Sequence, residues 1–151
     1  MIKTMKGSAV DLYEKDNSGA LIHVCNNHRV QGSGIALEIK NRYPNTFKVY
    51  HDAKTCNLGD VSYHPSDMIF NMVAQDNFSG ITPKTRHLHY GALAVCLEKV
   101  AVVCSNTKVK TIYIPVLMGA LRAGGDWGIV REMVEFILAD FDIVYCDFGV
   151  K

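Results

Sequence analysis

The sequence predicts an α/β protein with a mainly parallel sheet covered by helices on both faces. Two observations carry that prediction. Short apolar segments rich in β-branched residues alternate along the 151-residue chain with segments of helical period. Two of the apolar segments run into glycine-rich loops that lead directly into helices, as strand–loop–helix units do.

The elements read as follows. Leu21-Ile22-His23-Val24-Cys25 follows the turn-prone Asp16-Asn17-Ser18-Gly19 and reads as a buried strand. From Ser33 the period changes: Ile35, Ile39 and Tyr43 recur every four residues, with Glu38, Lys40, Asn41 and Arg42 on the other side. That is a helix with one buried face, ended or kinked at Pro44. Residues 60–63 alternate like an edge strand, and 68–73 read as a more central one. Residues 76–89 are polar and loop-like, after which Leu93, Leu97, Val100, Ala101 and Cys104 mark a second helix. A strong strand signal covers 111–117, with Pro115 suited to its end. A glycine-rich loop spans 118–126, Ile129, Val130, Met133, Val134, Ile137 and Leu138 mark another helix, and 142–146 form the last strand.

Composition narrows the function classes. The length fits one ordinary domain spanning residues 1–151, and 48% hydrophobic residues support a real core. Sixteen basic residues against fifteen acidic ones argue against bulk-charge binding to nucleic acid or to a membrane surface. Met1-Ile2-Lys3-Thr4-Met5-Lys6 is too short and mixed for a signal peptide, and no apolar run reaches the ~18 residues of a membrane span. The five cysteines are scattered without a CxxC pair, which reads as reduced thiols in a cytoplasmic protein. Cys25 and His28 lack a second such pair, and the His87–His89 HxH lacks a third ligand, so neither a metal nor any other cofactor is expected.

In an open α/β sheet, ligands bind beyond the carboxyl ends of the strands. Attention therefore falls on the two loops. The first, residues 25–36, carries Gly32 and Gly34 just before a helix, where free N–H groups and the helix dipole favour an anion. The second, residues 118–127, carries Gly119, Gly124 and Gly125 between a strand and a helix. One glycine loop alone often only makes a turn; two such units in a small chain suit a pair of phosphates. The spacing fits neither a dinucleotide-binding GxGxxG nor the GK[ST] of a P-loop.

The combination resembles the macro domain family over nearly the whole chain, from Asp11 to the last strand. The resemblance is most specific at Cys25-Asn26 followed by Val30-Gln31-Gly32-Ser33-Gly34-Ile35-Ala36-Leu37. It continues at Arg42-Tyr43-Pro44, Leu58-Gly59-Asp60-Val61, residues 71–75 and Gly124-Gly125-Asp126-Trp127. Within the family it is similar to the branch of yeast-type ADP-ribose 1''-phosphate phosphatases and related small bacterial and phage proteins.

The resemblance implies a three-layer α/β/α fold around a mixed, mainly parallel sheet, with ADP-ribose or ADP-ribose 1''-phosphate as partner. Carried over, Asp11 would accept a hydrogen bond from the adenine amino group, beside the Leu12 backbone N–H. Gly32, Ser33, Gly34 and Ile35 would line the pyrophosphate from one side, and Gly119, Ala120, Leu121, Arg122, Ala123, Gly124 and Gly125 from the other, with Val30 and Met118 also among the ligand-binding residues. Asn26 would reach the distal ribose, and Phe148 would pack on the adenine. The chain departs from the family pattern at Val10, at Asn27-His28-Arg29 and at Leu121-Arg122, in a second loop one residue longer than usual.

Asp126 stands where a helix starts, so it reads either as an N-cap or as a carboxylate that positions water. His28 reads as an exposed loop histidine or as a general acid. His23, inside a strand, reads as a hydrogen-bonded core residue. No GxSxG elbow or Cys–His pair points to a covalent nucleophile. The leading expectation is hydrolysis of the terminal phosphate of ADP-ribose 1''-phosphate by an activated water, with Asp126 and His28 in the catalytic roles. The alternatives are a hydrolase that removes ADP-ribose from modified protein or nucleic acid, and a non-catalytic ADP-ribose binding module.

Overall fold

The computed structural model describes residues 1–32, 34–76, 86–121 and 123–149. Six strands and five helices follow in the order β1 (Ile2–Lys6), α1 (Ala9–Glu14), β2 (Gly19–Asn26), α2 (Gly34–Arg42), α3 (Pro44–His51), β3 (Val61–Ser62), β4 (Ile69–Gln75), α4 (Tyr90–Ser105), β5 (Thr111–Pro115), α5 (Trp127–Ile137) and β6 (Asp142–Asp147). The sheet order is β1-β6-β5-β2-β4-β3. Every pairing is parallel except the short β3 against β4.

Side chains of β2 alternate between two helical layers, as the two-residue period of a strand requires. Ala20 and Ile22 join Phe70, Met72, Ile112, Ile114 and Ile143 under α4 and α5, which contribute Leu93, Leu97, Val100, Val130 and Val134. Leu21 joins Ile69, Tyr113 and Val144 under Ala9 and Val10 of α1 and Ile39 of α2. Cys25 and Val73 pack against Tyr50 of α3. Helices therefore cover both faces of one mixed, mainly parallel sheet, in the expected three-layer α/β/α arrangement.

Three elements differ from the sequence reading. β1 forms an edge along β6 with the register Ile2↔Ile143, and all five of its residues are exposed. No buried face marks it in the sequence. Gly7, at φ 137°, turns the chain from β1 into the short α1 and donates its N–H to the Asp147 carbonyl at 2.8 Å. Pro44 does end α2, and it also starts α3, since its fixed φ and missing N–H suit the first position of a helix.

Candidate functional site

A cleft of about 640 Å³ crosses the carboxyl ends of the strands. Ser8 and Ala9 line it past β1, Phe148 past β6, Val116 and Leu117 past β5, Asn26 at the end of β2 and Gln75 at the end of β4. One wall is the turn of Val30, Gln31 and Gly32 with the start of α2 at Gly34, Ile35 and Ala36. The other is the loop after β5, through Met118, Gly119, Leu121 and Ala123. The cleft thus lies where a doubly covered parallel sheet leaves room for a ligand. The amino end of α2 opens into it, with backbone N–H groups that have no partner inside the helix.

The first wall is held by side chains. The Asn26 amide oxygen accepts from the N–H of His28 at 2.9 Å, the N–H of Val30 at 3.3 Å and the Tyr50 hydroxyl at 2.9 Å. Its Nδ2 donates to the Val30 carbonyl at 2.7 Å. Arg29 adopts φ 61° and directs its guanidinium to the carbonyls of His51 at 2.8 Å and Tyr50 at 3.4 Å, at the carboxyl end of α3. A cation suits that end of a helix.

Beneath this turn lies a buried polar network. Asn71 donates from Nδ2 to the carbonyls of Thr46 and Ser62, so its Oδ1 is the acceptor that faces His23 Nε2 at 2.7 Å and Gln31 Nε2 at 3.3 Å. His23 Nε2 therefore carries the proton. Burial holds the His23 pKa at about 4, because an imidazolium there would lose its hydration. Burial likewise pushes the Cys25 thiol far up, which removes it as a nucleophile. Gln31 is 3% exposed and lines the cleft, and among the described residues its Oε1 has no hydrogen-bond partner.

The second wall is held by backbone geometry. Leu117, Gly119 and Gly124 all take positive φ, at 65°, 74° and 75°. Gly125 donates its N–H to the Gly119 carbonyl at 3.0 Å, and a Cβ on Gly125 would stand 2.7 Å from that oxygen and 2.4 Å from Leu88 Cδ2. The Ala123 carbonyl accepts from the N–H groups of both His87 and Leu88, at 2.8 and 3.0 Å. Asp76 faces His87 at 3.4 Å and His89 at 3.0 Å, and these contacts hold its carboxyl below the usual carboxylate range. The His87–His89 pair thus has a carboxylate partner, and among the described residues no group of three His, Cys, Asp or Glu is placed to hold a metal.

The residues expected in the site divide into groups. Asn26, Val30, Gly32, Gly34, Ile35, Met118, Gly119, Leu121, Ala123 and Phe148 all line the cleft. Ala120, Gly124 and Gly125 belong to the second wall but do not line it. Ser33 and Arg122 lie outside the described residues. Asp11 and Leu12 do not line the cleft either: Asp11 is 59% exposed on α1 and pairs with Arg42 at 2.8 Å. The residues that reach the cleft there are Ser8 and Ala9, together with Glu38 from α2.

Neither residue expected to act in catalysis lines the cleft. Asp126 is exposed and caps α5, accepting from the Ile129 N–H at 3.2 Å, while its own N–H donates to the Tyr90 hydroxyl at 2.9 Å. His28 is exposed, with Nε2 3.1 Å from the Asp76 carbonyl oxygen.

Sequence reasoning missed Glu38, which reads as part of the polar side of α2, although its spacing of four from Gly34 puts both on one face. It also missed Ser8, because it follows β1, which no buried face marks in the sequence.

Comparison with known proteins fits this architecture. No family model matches the chain. An uncharacterised 17.5 kDa protein of the tk-vs intergenic region of Enterobacteria phage T4 is 26% identical over 154 residues, covering 97% of this chain and 96% of the phage protein. An ADP-ribose 1''-phosphate phosphatase of Aspergillus clavatus is 45% identical over 40 residues, which is 26% of this chain and 20% of that protein. Among solved structures, a Bacteroides thetaiotaomicron protein of unknown function superposes with a TM-score of 0.82 at 20% identity, over 98% of both chains. The macrodomain of Thermus aquaticus DarG superposes at 0.72 with 20% identity, over 97% of both chains. Thermosipho africanus DarTG, solved in complex with ADP-ribose, superposes at 0.68 with 15% identity, over 89% of this chain and 39% of that one. With its sheet order, its two helical layers and its cleft across the strand ends, this chain has the macrodomain fold.

Proposed function

We propose that this protein binds ADP-ribose in the cleft across the strand ends. One observation carries the reading: two strand–loop–helix units face each other across a cleft of about 640 Å³, one presenting the amino end of α2 and the other a glycine-built wall. A pyrophosphate suits the space between them, because it is anionic and the first-turn N–H groups of α2 have no partner within the helix. The ADP-ribose complex of a protein with the same fold supports the choice of ligand.

A finer reading is hydrolysis of the terminal phosphate of ADP-ribose 1''-phosphate. The stretch of 45% identity with the Aspergillus clavatus phosphatase favours it. In that reaction the walls hold the pyrophosphate and fix the terminal phosphate, and a water attacks the phosphorus as the bond to the 1'' oxygen breaks, so that ADP-ribose leaves with a proton on that oxygen and inorganic phosphate is released. Asp126 is the candidate to orient that water, through the carboxylate oxygen that does not cap α5, and His28 is the candidate acid. Both have to turn toward the cleft for these roles.

Phosphorus NMR of ADP-ribose 1''-phosphate mixed with the protein tests both readings. Growth of inorganic phosphate, abolished by Asp126→Ala with binding retained, is the result expected of the phosphatase. Shifted pyrophosphate signals without product leave binding alone and reject hydrolysis of this substrate. Unperturbed signals reject the ligand itself.

A further inference from the structure

We propose that Glu38, oriented by Ser8, is the residue that selects the base of the bound nucleotide, and that it selects a base bearing an exocyclic amine. The proposal rests on the ADP-ribose reading of the cleft and deepens it.

Position comes first. Glu38 follows Gly34 by four residues on α2, so it lies on the cleft face of the helix about 6 Å along the axis from the helix start. A pyrophosphate at the amino end of α2 puts an attached nucleoside within reach of Glu38. Phe148 follows Asp147, whose carbonyl accepts from the N–H of Gly7 beside Ser8, and its side chain lines the cleft and is 49% exposed. A planar base has an aromatic surface and a carboxylate within one corner of the cleft.

Chemistry comes second. The Ser8 hydroxyl donates to Glu38 Oε1 at 2.8 Å, and Arg42 Nη1 approaches the same oxygen at 3.7 Å. Among the described residues, the polar contacts of Glu38 converge on Oε1, which leaves Oε2 for a ligand. Arg42 does not neutralise this carboxylate alone, because it also pairs with Asp11 at 2.8 Å and Glu14 at 2.5 Å. Three carboxylates share one guanidinium, so this corner repels phosphate and favours a hydrogen-bond donor.

An ionised carboxylate only accepts hydrogen bonds. The 6-amino group of adenine donates to it, whereas the 6-oxo group of hypoxanthine sets oxygen against oxygen. Asp11, the carboxylate that the resemblance places at the adenine, is turned to Arg42 and does not line the cleft.

Calorimetric titration of the intact protein with ADP-ribose and with its hypoxanthine analogue, inosine diphosphate ribose, tests the assignment. The wild type should bind ADP-ribose at least roughly tenfold more tightly, the scale of one charge-assisted hydrogen bond. Glu38→Gln should bring the two affinities within about threefold, because an amide both donates and accepts. Ser8→Ala should narrow the ratio in part and serves as a second variant that keeps the carboxylate. A ratio unchanged in both variants, or one lost in Asp11→Asn and kept in Glu38→Gln, overturns the role of Glu38. Failure of the wild type to bind either nucleotide overturns the ADP-ribose reading instead.

Discussion

The two walls of the cleft arise from the same strand–loop–helix unit and are fixed in different ways. The turn after β2 is held by polar side chains: the Asn26 amide, the Arg29 guanidinium and the Gln31 amide. The loop after β5 is held by positive-φ residues, by backbone hydrogen bonds and by the seat that Gly125 gives Leu88. The difference teaches that a glycine-rich loop is not one kind of object. In the first wall, Gly32 borders open space; in the second, Gly119 and Gly125 leave room for Leu88.

The largest test is pH. The first wall rests on a network centred on neutral His23, whose buried imidazole titrates near 4 instead of 6.5. The unfolded chain takes up this proton first, so the stabilisation is complete above pH 6.5 and is lost as pH falls from there toward 4. The loss attributable to His23 should reach roughly 3 kcal/mol. Urea denaturation across this range, repeated on His23→Gln, should show a flatter dependence in the variant. The groups around the ring, Asn71, Cys25 and Gln31, bear no charge there, so the effect belongs to the imidazole.

Gly125→Ala strikes the second wall. Its Cβ would meet the Gly119 carbonyl and Leu88 closer than atoms pack, which should cost about 2–3 kcal/mol in denaturant unfolding. Asn26→Ala strikes the first, where it strips the acceptor from two backbone N–H groups and should cost about 2 kcal/mol, with ligand affinity falling in parallel. Gly32→Ala is the sharpest contrast. Among the described residues its Cβ would have only Val30 Cγ1 near it, at 3.9 Å, so stability should change by less than about 0.5 kcal/mol. Affinity for ADP-ribose should nevertheless drop, because the open space is where the ligand would lie. If Gly32→Ala unfolds the protein and Gly125→Ala does not, the contrast between the walls is wrong.

Much of this was legible in the sequence because burial writes a period. β2, β4, β5, β6 and the helices α2, α4 and α5 all bury a face or a core, and all stand out as apolar patterns. β1 does not, because an edge strand with five exposed residues has nothing to repeat. α3 was hidden behind Pro44, which reads as a stop and here also serves as a start. The glycine loops were legible as loops, yet whether a glycine serves the ligand or the packing depends on what lies across from it. Only the fold brings Leu88 to Gly125. Asp11 and Glu38 show the same limit: both are acidic residues on short amphipathic helices, and only the direction of α1 and α2 against the sheet decides which carboxylate meets the cleft.

Leu88 is wholly buried and lies against both Gly119 and Gly125. It therefore acts as a template on which the second wall is cast. Neither glycine has room for a larger residue while leucine occupies position 88. A shorter residue at position 88 would relieve the contact at 119, whereas a side chain at 125 would still meet the Gly119 carbonyl oxygen at 2.7 Å, so the wall couples a position just before α4 to two in the loop after β5.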